Sequence, residues 1–158
     1  MADAKTTTKK PNAKGKAANV WTDEERAAMQ ESARERKASS KLSPEEERAQ
    51  GEADIRAKIA EMTDAERAMA ERLHELVATN APGFVPRTYY GMPAYSKAGK
   101  TICFFQPASK FKVRYSTFGF QPDATIDDGE MWPVAYALTK LTPAAEKRIV
   151  ELIKKAAG

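Results

Sequence analysis

The stretch "YYGMPAYSKAGKTICFFQ", residues 89–106, carries the reading of the fold. Residues 101–106 are rich in β-branched and aromatic side chains and read as a strand. Before it, "SKAGK" reads as a tight turn in which Gly99 supplies a positive φ, and Gly91 with Pro93 marks an earlier bend. One or two short strands are therefore predicted within 87–95. Ile102 and Phe104 are predicted to enter the core, with Cys103 opposite in phase as a partly buried structural thiol. Tyr89, Tyr90, Tyr95 and Lys100 are left over by this structural account.

Downstream, residues 110–118 alternate Lys110, Lys112, Arg114 and Ser116 with Phe111, Val113, Tyr115 and Thr117. This period of two predicts a strand with one basic and one apolar face. Residues 131–138 alternate in the same way, with Trp132, Val134, Tyr136 and Leu138 on one side. Pro133 removes an N–H there, so that strand belongs at an edge or a bulge.

Upstream, helix starts are punctuated by Thr22-Asp-Glu-Glu25, Ser43-Pro-Glu-Glu46 and Thr63-Asp-Ala-Glu66. Each is a hydroxyl residue with Glu three places on, the pattern of a reciprocal capping box, and each follows an apolar residue. A fourth start, Thr142-Pro143, opens a C-terminal helix. Helices are predicted over 23–38, 44–61, 64–79 and 143–157. The first offers alanines, Met29 and Trp21. The second carries a narrow stripe of Ile55, Ile59 and Met62, weakened by Gly51, so both are placed at the periphery. The third and fourth carry broad apolar faces and are predicted to cover the sheet. The result is an α+β fold: an antiparallel sheet of three to five strands packed with two helices over 63–158. A charged helical extension over 21–62 and a disordered basic tail over 1–20 precede it.

Residues 1–21 hold five lysines and one aspartate, so the net charge of +4 resides there. The rest of the chain balances, which removes any overall electrostatic reason to seek nucleic acid beyond weak attraction through the tail. A single cysteine and the absence of a long apolar run predict a soluble cytoplasmic protein outside the membrane.

The stretches "YYGMPAYSKAGKTICFF", "KFKVRYSTFGF" and "MWPVAYALTKLTPAAEKRIVELIKKA" resemble the YdhG-like family, a bacterial family of largely unknown function that includes a frataxin-like iron chaperone. The resemblance covers about residues 63–158 and implies a compact sheet flanked by helices in a frataxin-like layered arrangement. It implies iron handling through surface carboxylates, for which Asp123, Asp127, Asp128 and Glu130 are the candidate ligands. The competing account of these four is ordinary turn chemistry. It supplies no catalytic site.

No Cys-x-x-Cys, His-Glu-x-x-His or phosphate-binding glycine loop occurs, and the lone histidine, His74, falls off the apolar stripe of its helix as a boundary residue. A non-enzymatic binding protein is therefore expected. Besides iron, a small anion or metabolite is a candidate ligand. Its site would combine Tyr89, Tyr90, Met92 and Tyr95 with Lys100, Lys110, Lys112 and Arg114. The competing account of the basic residues is a solvated sheet face. A protein partner docked on the N-terminal helices is the remaining expectation.

Overall fold

The computed structural model describes residues 20–39 and 42–158; the tail predicted for 1–20 lies, Val20 apart, outside them. Three helices come first: α1 (Asp23–Ser39), α2 (Pro44–Ala60) and α3 (Asp64–Asn80). The strands β1 (Val85–Tyr89), β2 (Met92–Lys97), β3 (Lys100–Gln106), β4 (Ser116–Phe120) and β5 (Ala135–Leu138) follow, with a one-turn helix α4 (Ala108–Phe111) between β3 and β4. Helix α5 (Pro143–Ala157) ends the chain. The five strands form one antiparallel sheet in sequential order, the α+β architecture the sequence predicts.

Local chemistry accounts for the element starts. Thr22 and Glu25 exchange both bonds of a capping box, at 2.9 and 3.1 Å, and Ser43 and Glu46 do the same at 2.8 and 3.3 Å. At Thr63 the helix starts as expected, but its hydroxyl accepts no backbone N–H. Glu66 also reaches α4, accepting from the Ser109 N–H at 2.8 Å and from its hydroxyl at 2.6 Å. Both early hairpins close through two residues of positive φ, Tyr90 and Gly91 in one and Ala98 and Gly99 in the other. Such mirror-image turns match the right-handed twist of the strands they join.

One apolar cluster joins Ile55 and Ile59 of α2, Leu73 and Val77 of α3, and Ile149, Leu152 and Ile153 of α5 to Tyr95, Cys103, Phe105, Phe118 and Phe120 of the sheet. Helix α2 is thus no peripheral element, because Ile55 is 0 % exposed. Gly51, read from sequence as a weakness of the stripe, is the reason α2 reaches the sheet. A Cβ at that position would collide with the Pro86 carbonyl of β1, so only glycine lets the helix lie on the edge strand's backbone. With α2 laid along it, the edge is also shielded from pairing with another chain.

Two strand predictions are corrected. Residues 110–118 do not form one strand: 108–111 are the helix α4, Lys112 ends it in the left-handed region, and β4 begins only at Ser116. The bonds from Ser109 to Glu66 and a bond from the Ala108 N–H to the Ser116 hydroxyl, at 3.0 Å, hold this connection helical, overriding a pattern of period two. Within 131–138 only Ala135–Leu138 pairs as a strand. The phase of β3 also differs from expectation. Cys103 is fully buried on the helix-facing side with Phe105, whereas Phe104 lies on the opposite face near Tyr89.

Candidate functional site

The residues expected to form one ligand surface are distributed over several places. Met92 and Tyr95 are buried, and Lys100 pairs with Asp123 at 3.2 Å at the far end of the β2–β3 hairpin. Arg114 lies over the ring of Tyr115, 5.1 Å from its centroid, in the α4–β4 connection. Without a strand at 110–114 there is no basic sheet face. Lys110 projects from α4 and Lys112 follows directly, and both meet carboxylates of α1.

That meeting forms the most concentrated polar arrangement around the stretch 89–95. Tyr90 and Gly91 make the β1–β2 turn with φ of 51° and 71°. Tyrosine seldom occupies the left-handed region, and a residue held there marks a constrained segment. The Gly91 N–H donates to the carboxylate of Glu35 at 3.0 Å. The Glu31 carboxylate receives Lys110 Nζ at 3.1 Å and Lys58 Nζ at 3.6 Å. It also fills the space a Cβ on Gly91 would need, so this glycine's missing side chain is part of the site. Beside it, Lys58, Glu61, Gly91, Ser109 and Lys110 line a cleft of about 210 Å³, in which Glu61 also pairs with Lys58 at 3.6 Å. One helical turn pair away, Glu24 binds Lys112. The hydrogen bond with Lys112 holds the Glu24 carboxyl below its usual range and the Lys112 ammonium above its own.

The aromatic residues stand at the same turn. Tyr89 packs edge-on against Tyr90 with ring centroids 4.5 Å apart, and partial burial followed by the neighbouring Tyr90 raises the Tyr89 phenol. Sequence reasoning missed Lys58, Glu31 and Glu35. A signal for the two glutamates existed: Glu24, Glu31 and Glu35 stand at i, i+7 and i+11, one face of a helix.

Tyr95 belongs to a different arrangement. Its hydroxyl lies 3.0 Å from His74 Nδ1, and His74 Nε2 lies 2.8 Å from Glu52, which pairs with Arg56 at 2.6 Å. A carboxylate only accepts, so Nε2 carries a proton, and Nδ1 pairs with the tyrosine hydroxyl. Burial raises the Tyr95 phenol far above its ordinary value, followed by smaller effects from Cys103 and Glu52. At Glu52, burial disfavours the charge, but the bonds from His74 and Arg56 outweigh it and the carboxyl titrates low. His74 lies at the boundary as expected, with its side chain 12 % exposed, and ties α2, α3 and β2 together. Next to it a broad groove of about 560 Å³ runs between α2 and α3, but its arginines are already engaged: Arg56 by Glu52, and Arg67 by Asp64 and two carbonyls.

The acidic candidates remain apart. Asp123 is held by Lys100, and the Asp127 carbonyl accepts from Lys155 at 2.6 Å. Among the described residues no three carboxylate, imidazole or thiolate groups converge as a metal site. Cys103, pushed far up by burial, is no nucleophile. None of the chain's described helices is long and apolar enough to cross a membrane.

No family model matches this chain, and neither the curated proteins nor the solved structures searched contain a significant match to it.

Proposed function

We propose that this protein is a non-enzymatic module that binds small anions at the Tyr90–Gly91 turn, between Lys58 and Lys110. The observation that carries this reading is that two carboxylates, Glu31 and Glu35, already sit on the Gly91 N–H and the two ammonium groups. A backbone N–H of a left-handed turn with flanking cations is a general anion receptor, since charge-assisted bonds to oxyanions are among the stronger hydrogen bonds. Tyr89 and Tyr90 add aromatic surface next to the polar groups, the composition expected of small-molecule sites. The reading is preferred to the iron handling that the family resemblance implies because the four loop carboxylates do not converge, whereas the anion-binding groups do.

The test is titration of the isotope-labelled protein with inorganic phosphate and, separately, ferrous iron under anaerobic conditions. Phosphate is expected to shift the amides of Tyr90, Gly91 and Ser109, and Lys110→Ala with Lys58→Ala to abolish the shift. Selective broadening at Asp123, Asp127, Asp128 and Glu130 by iron, without a phosphate response, would reverse the preference.

A further inference from the structure

Resting on that reading, we infer that α1 is a built-in substitute for the ligand, one that closes the Gly91 site until an oxyanion carrying two negative charges displaces it. The inward face of α1 is unlike those of α2, α3 and α5. Its buried residues are Ala28 and Ser32, both small, and its half-buried ones are Glu24, Glu25, Glu31 and Glu35 with a single large apolar side chain, Met29. Each carboxylate finds a donor outside α1: Lys112 for Glu24, Lys110 and Lys58 for Glu31, and the Gly91 N–H for Glu35. Charge more than apolar burial holds this helix in place.

The charge count at the turn identifies the ligand class. Glu31 and Glu35 lie one helical turn apart, where like charges repel, and they are tolerated because Lys58 and Lys110 face Glu31 while the Gly91 N–H faces Glu35. Lys58 also pairs with Glu61 at 3.6 Å and keeps that partner when α1 departs, whereas Lys110 and Lys112 lose Glu31 and Glu24. An incoming anion with one charge would leave one of those two ammonium groups uncompensated. A phosphate monoester or a dicarboxylate restores the balance in full, and the cleft beside Ser109 leaves space for the remainder of such a molecule. Closure by α1 lowers the apparent affinity by the fraction of molecules that are open, so binding and helix release are coupled.

The experiment compares the full chain with its Glu31→Gln/Glu35→Gln variant, both carrying Trp132→Phe so that Trp21 at the start of α1 reports alone. Trp21 is 56 % exposed and suits this use. Inorganic phosphate and succinate are titrated at constant ionic strength, with chloride as control, while the Gly91 amide and the Trp21 anisotropy are followed. The wild-type helix is expected to release, with falling anisotropy, in step with the Gly91 shift, and the double variant to bind about tenfold tighter. The tighter of phosphate and succinate then identifies the source of the dianion. Equal affinity of the two proteins, with the Gly91 shift intact, overturns the role of α1 and leaves the anion site standing. An unchanged Trp21 signal on binding overturns it too, and chloride acting as well as the dianions overturns the charge argument. No Gly91 response in either protein removes both readings, and unaltered Ile55 and Phe118 resonances show that the variants remain folded.

Discussion

Helices α1 and α2 are alike in nearly every local respect. Each has 17 residues, opens with a complete capping box, places acids in its first turn and bases in its last, and is predominantly polar. Yet α2 contributes Ile55 and Ile59 to the core while α1 is attached through ion pairs and one backbone N–H. In both, a missing side chain sets the contact. Gly51 on α2 admits the backbone of β1, and Gly91 on the β1–β2 turn admits the carboxylate of Glu31 from α1. Length, caps and average polarity therefore do not separate a core helix from a detachable one; the three or four residues on the inward stripe do.

The sharpest way to break this comparison is to empty the stripe of α2. Ile55→Ala should cost about 2–5 kcal/mol, because a fully buried side chain is removed and a cavity remains. Chemical denaturation would measure it, and a loss below about 1 kcal/mol would return α2 to the periphery. Gly51→Ala comes next. In an exposed helix this change stabilises by up to about 1 kcal/mol, but here the new methyl meets β1 backbone, so the sign reverses to a loss of about 1–3 kcal/mol.

Between the two helices in strength stands the His74 chain that anchors α2 to α3 and β2. His74→Leu should cost about 1–3 kcal/mol by leaving the buried Tyr95 hydroxyl without its partner, and Tyr95→Phe added to it should recover part of that loss. Acid probes the same anchor. Glu52 and Glu66 both titrate below the 4.5 of a free glutamate, since burial pushes them up but their hydrogen bonds outweigh it. Their folded-state values lie under the unfolded ones, so their contribution is complete above about pH 4.5 and is lost as pH falls through the folded values. Melting temperature should hold from pH 7 to 5 and then decline. In Glu66→Gln, where Ser109 loses a charged acceptor, the decline should be shallower.

The smallest effect belongs to α1. Glu31→Gln should change global stability by less than about 1 kcal/mol, as expected for partly exposed ion pairs. Raising the salt to about 0.5 M, where the screening length falls below the span of the site, should speed amide exchange across α1 and leave α2 unchanged. Equal protection of both helices in high salt would end the distinction between them.

The helix starts and the two hairpins were legible from residues such as Ser43, Glu46, Thr142, Gly91 and Gly99, because each closes its bonds within a few positions of itself. The third capping box is incomplete for the opposite reason: Glu66 is shared between Thr63 at its own helix start and Ser109, 43 residues away. The same long reach turned 108–111 into α4 and removed the basic strand. Tyr89, Tyr90 and Lys110 were named from sequence, while Tyr95 and Lys100 proved to serve other contacts and Lys58 went unnoticed.

What the sequence by itself determined is the set of elements and their order, since caps, turns and apolar periodicity are local free energies. Tertiary structure alone decided the partners. Lys110 meets Glu31 across 79 residues and Gly91 meets Glu35 across 56, and nothing in a charge pattern says which of many carboxylates a lysine will find. A salt bridge carries no register of its own; packing of α2 on β1, permitted by Gly51, brings the Gly91 turn, Lys58 and α1 to one place.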